Sequence, residues 1–585
     1  MTHAHDSHLE RQIKAASGEI PADCVIKNAV FADVFNRTWE RGDIAIQDGN
    51  IAGIGTFSGR HEVDAKGYLL APGWIDGHVH IESSMVTPAE FAKAVLPQGV
   101  TTVITDPHEI ANVSGTEGID FMINESRKVP LDIKFMLPSS VPAAPLEDNG
   151  SRLDAVDLMP YYDTDEVLGL AEVMDYPAVA QTNPDMMKKL DDASRRNRPI
   201  DGHAAGLSDE HLNVYAAAGI RSDHEAVTYE EGRARLLRGM YLMLREGSGA
   251  KDVRALLPLV HEGNAHRCLF VTDDKHMDEI LQKGSIGENI RIAVAEGVAP
   301  ITALAMASLH AAECFQMHHK GAIAPGRDAD FVWLTDLESF SPAKTWVKGK
   351  EVAADHTYTG PAFQPPAPPK SLAGSVHSCN LNQDHLDIPI RNNEAKARVM
   401  GVSPGSIMTS HSIESVPVEN ELFTPGNGFN KLISTARHRS DNKTAAGIVK
   451  GLGTIDGAVA STIAHDAHNV IACGSNDTDI ALAVETLNEL QGGIAITQDG
   501  TVLFTLPLPI SGLLSDRSSE EVAHKLEAMQ QPLADIGFTG NFDPIIALSF
   551  LSLPVIPELK LTVQGLYDVT AQQLVSVDPY RNSEQ

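Results

Sequence analysis

The sequence predicts an α/β protein: a (β/α)8 TIM-like barrel inserted in a small β-sandwich domain, followed by a C-terminal α+β domain. Short apolar runs alternate with helix-like stretches between Trp74 and Thr272, hairpin texture flanks that region on both sides, and a Pro-rich stretch sets off the rest.

The first hairpin texture covers residues 24–57, where alternating apolar runs are punctuated by Arg41-Gly42 and Asp48-Gly49-Asn50. Such turn residues between alternating runs predict a small antiparallel sheet. Seven strand candidates follow, at residues 74–81, 100–105, 133–137, 167–173, 199–203, 220–224 and 268–272, with helical spacers such as the run from Pro88 after a Thr87 cap. An eighth strand has no obvious place, because residues 229–259 read as wholly helical. Sheet texture returns after Gly321 and is expected to pair with the first segment. The domain plan is therefore residues 1–68 and 321–359 as the two halves of one β domain, 69–320 as the barrel, 360–370 as a stiff linker, and 371–585 as the α+β domain.

Composition narrows the partners. With 46 Lys+Arg against 78 Asp+Glu among 585 residues, the net charge is −32. Nucleic acids and anionic membranes both ask for a basic surface, so neither is an expected partner. No apolar run reaches the ~20 residues that cross a bilayer, and the opening MTHAHDSHLERQIK lacks a signal-type apolar core. Five dispersed cysteines with no C-x-x-C pair fit a reduced, cytoplasmic protein.

The chemistry begins at Ile75-Asp-Gly-His-Val-His80. Strand side chains alternate, so His78 and His80 share one face and are placed to hold one metal ion. Other strand candidates end in Glu172, His203, His224 and Asp273. The C-terminal strand ends of a (β/α) barrel converge on its active site, and four imidazoles with two carboxylates suffice for two ions if Glu172 bridges. Zn²⁺, Fe²⁺, Mn²⁺ and Co²⁺ all suit such ligands. A pair of ions would acidify a shared water, which favours hydrolysis at an electrophilic carbon.

These residues resemble the amidohydrolase superfamily, and within it the bacterial-type adenine deaminases. The resemblance is carried by HIESSM from His80, GVTTVITDPHEIANV from Gly99, GLAEVMDYPAV from Gly169, DGHAAG from Asp201, SDHE from Ser222, VTDD from Val271 and GLGTIDGAVASTIAHDAHNVIACG from Gly451. It implies Mn²⁺ or Fe²⁺, with Zn²⁺ possible, in a pair: His78 and His80 on the first ion, His203 and His224 on the second, Glu172 bridging, and Asp273 as both ligand and proton shuttle. The implied reaction is hydrolytic deamination of adenine to hypoxanthine and ammonia by a metal-bridged hydroxide attacking C6. A homodimer acting on a small purine is the implied assembly.

Addition at C6 needs a donor to purine N1, and Asp106, His108 and Glu109 are the candidates, although Asp106-Pro107 also reads as a helix cap. Ser83, Ser84 and Asp274 are candidate substrate contacts, or simple turn and helix caps. The roles of His465, Asp466 and His468 stay open. Other nucleobase deaminases use a P-C-x-x-C zinc motif, which is absent here. Cyclic amidohydrolases of the hydantoin or dihydropyrimidine type bridge their metals with a carbamylated lysine, and Lys134 is the nearest lysine to that role. A deaminase of a related 6-aminopurine and a catalytically idle relative are the remaining alternatives. One departure stands out: Ala436 occupies a position where the resemblance expects an acid.

Overall fold

The structure, a computed structural model, describes residues 7–363, 369–391, 394–403, 408–439, 443–540 and 542–580. Residues 364–368 of the expected Pro-rich linker lie outside the described residues.

Eight strands form the barrel: Trp74–Val79, Val100–Thr105, Asp132–Leu137, Val167–Val173, Ile200–Gly202, Ser222–Asp223, Tyr241–Arg245 and Cys268–Val271. Every residue of the first two is buried, as expected for parallel strands covered on both faces. The first five form one parallel sheet and the last three another. The ring closes where Val79 bridges Asp273 and the Asp273 N–H donates to the His78 carbonyl at 2.9 Å. Opposite, the Arg221 N–H donates to the Ile200 carbonyl at 3.2 Å. Ile75, Ile104, Met136, Ala171, Met243 and Leu269 pack together, so the barrel is filled and its chemistry is confined to the strand ends.

Tyr241–Arg245 corrects the expectation of an unbroken helical stretch over 229–259. The helix Tyr229–Leu237 ends before Gly239, whose φ is +73°. Residues 242–245, Leu-Met-Leu-Arg, are good helix formers in isolation. They extend because Tyr241 pairs with Ser222, and Leu242 to Arg245 pair with Cys268 to Val271.

Strands on either side of the barrel in sequence meet in one nine-stranded sheet, where Leu69–Pro72 runs antiparallel to Phe331–Leu334. Asp48-Gly49 makes the expected tight hairpin, with both residues at positive φ. Arg41-Gly42 does not turn: the two lie inside Thr38–Gln47, opposite Val30 and Ala29. The turn comes earlier, where Asp33 Oδ1 accepts the N–H groups of Phe35 and Asn36 at 3.0 and 3.1 Å.

Beyond the linker, an eight-stranded sheet carries the helix Asp477–Leu490, capped by the Asn476 side chain. The expected hairpin at Gln498-Asp499-Gly500 joins Gly493–Gln498 to Thr501–Pro507. Two segments of this domain reach the barrel mouth: residues 462–469, between Ala458–Ser461 and Val470–Gly474, and the short helix Pro544–Ser549 with the turn Phe550–Ser552 after it. Among the described residues no helix is long and apolar enough to cross a membrane.

Candidate active site

His78 and His80 end the first barrel strand on one side of it, with their Nε2 atoms 3.2 Å apart. Each ring is fixed through its other nitrogen: His78 Nδ1 lies 2.9 Å from Asp201 Oδ2, and His80 Nδ1 lies 3.1 Å from the Asp106 carbonyl oxygen. Both partners are acceptors, so Nδ1 carries the proton and each Nε2 presents a lone pair in the neutral ring. Asp76 pins the same strand from below, accepting the Thr272 N–H at 3.1 Å and its hydroxyl at 2.5 Å.

The other four expected ligands enter the same space, and all six are buried. Glu172 Oε1 lies 3.3 Å from His80 Nε2, whereas its Oε2 lies 2.8 Å from His203 Nδ1 and 3.3 Å from His224 Nε2. Asp273 Oδ1 is 3.1 Å from His80 Nε2 and 3.4 Å from His78 Nε2. Lone pairs thus face one another and face carboxylate oxygens, an arrangement that repels itself until a cation enters. Two ligand triads, His78–His80–Glu172 and Glu172–His203–His224, each gather within 4.8 Å and share Glu172. The donor set therefore fits divalent ions.

Electrostatics agree. Burial opposes charge on every one of these groups, yet the surrounding carboxylates hold His80 and His224 well above the usual imidazole value. Against the same burial, the imidazoles hold Glu172 and Asp273 well below the usual carboxylate range. This is a pocket that calls for positive charge. Lys134 is not part of it: its Nζ lies 3.1 Å from Asp132 Oδ1, at the start of the third strand and the opposite end of the barrel from Glu172.

Asp106 makes no capping bond; the helix His108–Ser126 starts at Pro107 without one. Its Oδ2 instead lies 3.0 Å from His108 Nδ1 and orients that ring, which also comes 3.4 Å from Glu172 Oε1. Although burial works against it, the negative charge of Asp106 and Asp466 holds His108 well above the usual imidazole value. Ser83 Oγ touches both Glu109 Oε1, at 2.9 Å, and Asp274 Oδ1, at 2.5 Å. A hydroxyl has one proton, so both contacts are satisfied only if one of the two carboxyls is protonated and donates to Ser83. Burial, reinforced by the charges of Glu82 and Asp274, keeps Glu109 well above the usual carboxylate range, in keeping with that. The Ser84 hydroxyl donates to the Ile81 carbonyl at 2.5 Å and serves the turn.

A cavity of about 20 Å³ remains at the centre. His80, His108, Glu172, His203, His224, Asp273 and Asp274 line it from the barrel, with Met174 and Glu225; His465, Asp466, Phe550 and Leu553 roof it from the C-terminal domain. Ser83, Asp106 and Glu109 stand behind that lining. His465 stacks on Phe550 with centroids 4.7 Å apart, and its Nδ1 is 3.9 Å from Glu109 Oε1. His468 Nε2 lies 4.0 Å from Glu109 Oε2.

The Arg437-His438 stretch beside Ala436 braces this roof. The Arg437 guanidinium donates to the carbonyls of His468 and Ser511, and His438 Nε2 lies 2.6 Å from the Ala467 carbonyl oxygen. Arg245 went unrecognised in the sequence because its strand did. Its Nη1 donates to Glu225 Oε1 at 2.5 Å and to Asp273 Oδ2 at 2.9 Å. The usable signal was Gly239, which ends the helix six residues before Arg245 ends the strand.

The amidohydrolase family model matches residues 69–352, and the model of the adenine deaminase C-terminal domain matches residues 406–573. An adenine deaminase of Bacillus licheniformis is 48% identical, over 97% of this chain and 99% of that protein. One of Halalkalibacterium halodurans is 46% identical, over 98% of each. Among solved structures, a β-aspartyl dipeptidase of Fervidobacterium islandicum aligns with a TM-score of 0.46 at 18% identity, covering 58% of this chain and 99% of that one.

Proposed function

Because the chain belongs to the adenine deaminase family of amidohydrolases, we propose that it hydrolyses adenine to hypoxanthine and ammonia at the roofed barrel mouth. The observation that carries this reading is the convergence of four imidazoles and two carboxylates on one cavity, with Glu172 shared between two triads.

His78 and His80 would hold one divalent ion, His203 and His224 a second, with Glu172 between them and Asp273 as a further ligand; Mn²⁺ or Fe²⁺ is the pair the family resemblance favours. When bound, such ions supply an acidified water and a Lewis acid. Asp273 takes a proton from the attacking water and returns it to the departing amine. Arg245 holds the far oxygen of Asp273 at 2.9 Å, so the carboxylate stays ionised and aimed. His108, kept charged and oriented by Asp106, faces the cavity as the N–H donor to purine N1. Glu109 holds its proton in the chain through Ser83 to Asp274, behind His108, and backs the same edge. The buried Glu172, with no lysine in the cavity lining, disfavours the hydantoin and dihydropyrimidine reading.

The partner in this reading is a small purine. All five cysteines are free, which suits a reducing cytoplasm; the homodimer rests on the family resemblance and is tested by light scattering. The direct test is to incubate the Mn²⁺-loaded protein with adenine and measure ammonia and hypoxanthine. Stoichiometric appearance of both is expected; no turnover by a fully metallated protein overturns the substrate.

A further inference from the structure

Five carboxylates line the cavity: Glu172, Glu225, Asp273, Asp274 and Asp466. Four are engaged within the protein. Imidazoles surround Glu172, Arg245 takes Glu225 and Asp273, and Ser83 donates to Asp274.

Asp466 differs. It is 1% exposed, and its Oδ2 has no hydrogen-bond partner among the described residues. Its Oδ1 lies 3.6 Å from His108 Nε2 and 3.7 Å from His465 Nδ1. Nearby Glu147 accepts the Ala144 N–H at 3.0 Å, and burial together with the charge of Asp466 pushes its carboxyl up to about 8. A buried acceptor left unsatisfied is costly, and a donor that enters the cavity would complete it.

Resting on the reading that adenine is the substrate, the donor can be identified by chemistry. Adenine offers two kinds of N–H: the exocyclic amine on C6 and one N–H on its five-membered ring. The amine is what leaves, so it must lie against Asp273 and the ligand cluster. Asp466 approaches none of those six residues within ion-pair distance; its near neighbours are His108 and His465. The ring N–H remains. We propose that Asp466 accepts the N–H of the purine's five-membered ring and thereby selects the free base over N9-substituted bases. An N9-substituted adenine has no ring N–H at all, so it offers Asp466 no ring donor.

The test compares metal-loaded wild type, Asp466→Ala and Asp466→Asn on adenine and on 9-methyladenine, the latter followed as substrate or as competitive inhibitor, with metal content measured alongside. Asp466→Ala is expected to lower kcat/KM for adenine about 10²-fold, chiefly through KM, because a site built around a polar contact discriminates strongly. Asp466→Asn keeps one acceptor oxygen and is expected to lose about tenfold. Handling of 9-methyladenine should change by no more than about twofold in either variant, and bound metal should not change. Equal losses on both bases, or unchanged adenine kinetics, overturn the role of Asp466 while leaving the deaminase reading intact. A wild type that leaves adenine untouched overturns that reading instead.

Discussion

The barrel mouth and the loop that roofs it face each other across one cavity, yet they are held in different ways. At the mouth, functional side chains hold one another: His78 by Asp201, His203 by Glu172, Asp273 by Arg245. In the roof the backbone is what is gripped, with Arg437, His438 and Ser552 bonding to the carbonyls of His468, Ala467 and His465. The mouth is therefore an electrostatic unit that calls for cations, and the roof a positioned surface that shapes what reaches them. Metal binding and substrate selection should come apart on mutation.

The largest effect is expected for Glu172→Ala, which removes the carboxylate shared by both triads. Metal analysis should find both ions lost, with turnover down about 10⁴-fold or more; retention of two ions would break the division between mouth and roof. Asp273→Asn comes next, with metal largely kept and kcat lowered about 10³-fold in an ammonia-release assay. Phe550→Ala, in the roof, should raise KM about tenfold at unchanged metal content. A loss of metal in that variant would show that the two regions are one unit after all.

A smaller effect concerns how the domains stay together. His276 Nδ1 lies 2.9 Å from Asp543 Oδ2, beside the short helix Pro544–Ser549 that leads into the roof. Burial would depress this imidazole, but Asp543 lifts it to about 9. The folded value is raised above the ordinary ~6.5. The contribution to stability is thus complete below about pH 6.5 and is lost as pH rises through about 9. His276→Gln should lower the melting midpoint by about 3 °C at pH 6.5. That difference should vanish by about pH 10; a pH-independent gap would show that the ion pair is not its source. The smallest effect, none within error on metal content or kcat, is expected for Lys134→Ala, because Lys134 sits at the other end of the barrel.

The mouth was legible because its signals are local. A period-2 strand ending in His-Val-His and apolar runs ending in Glu, His or Asp follow from strand geometry alone, and they pointed to the six side chains that converge at the mouth. The seventh strand was not legible, since Leu242, Met243 and Leu244 favour helix until Cys268 to Phe270 pair with them; Arg245 was hidden with it. Arg41-Gly42 misled for a related reason: a turn dipeptide was absorbed into a long strand, and Asp33 made the turn instead. The roof depends on contacts no local pattern encodes, such as Asn469 Nδ2 donating to the Asp148 carbonyl at 3.0 Å. Its residues were visible as a motif, but their destination was not.

The central claim is that a pair of ions held by six barrel residues carries adenine deamination, and a titration tests it most directly. Metal-free protein is titrated with Mn²⁺ while ammonia release from adenine is followed. Activity should rise to a plateau at two equivalents per chain and stay absent in Glu172→Ala. A plateau at one equivalent, or full metal loading without ammonia, would contradict it.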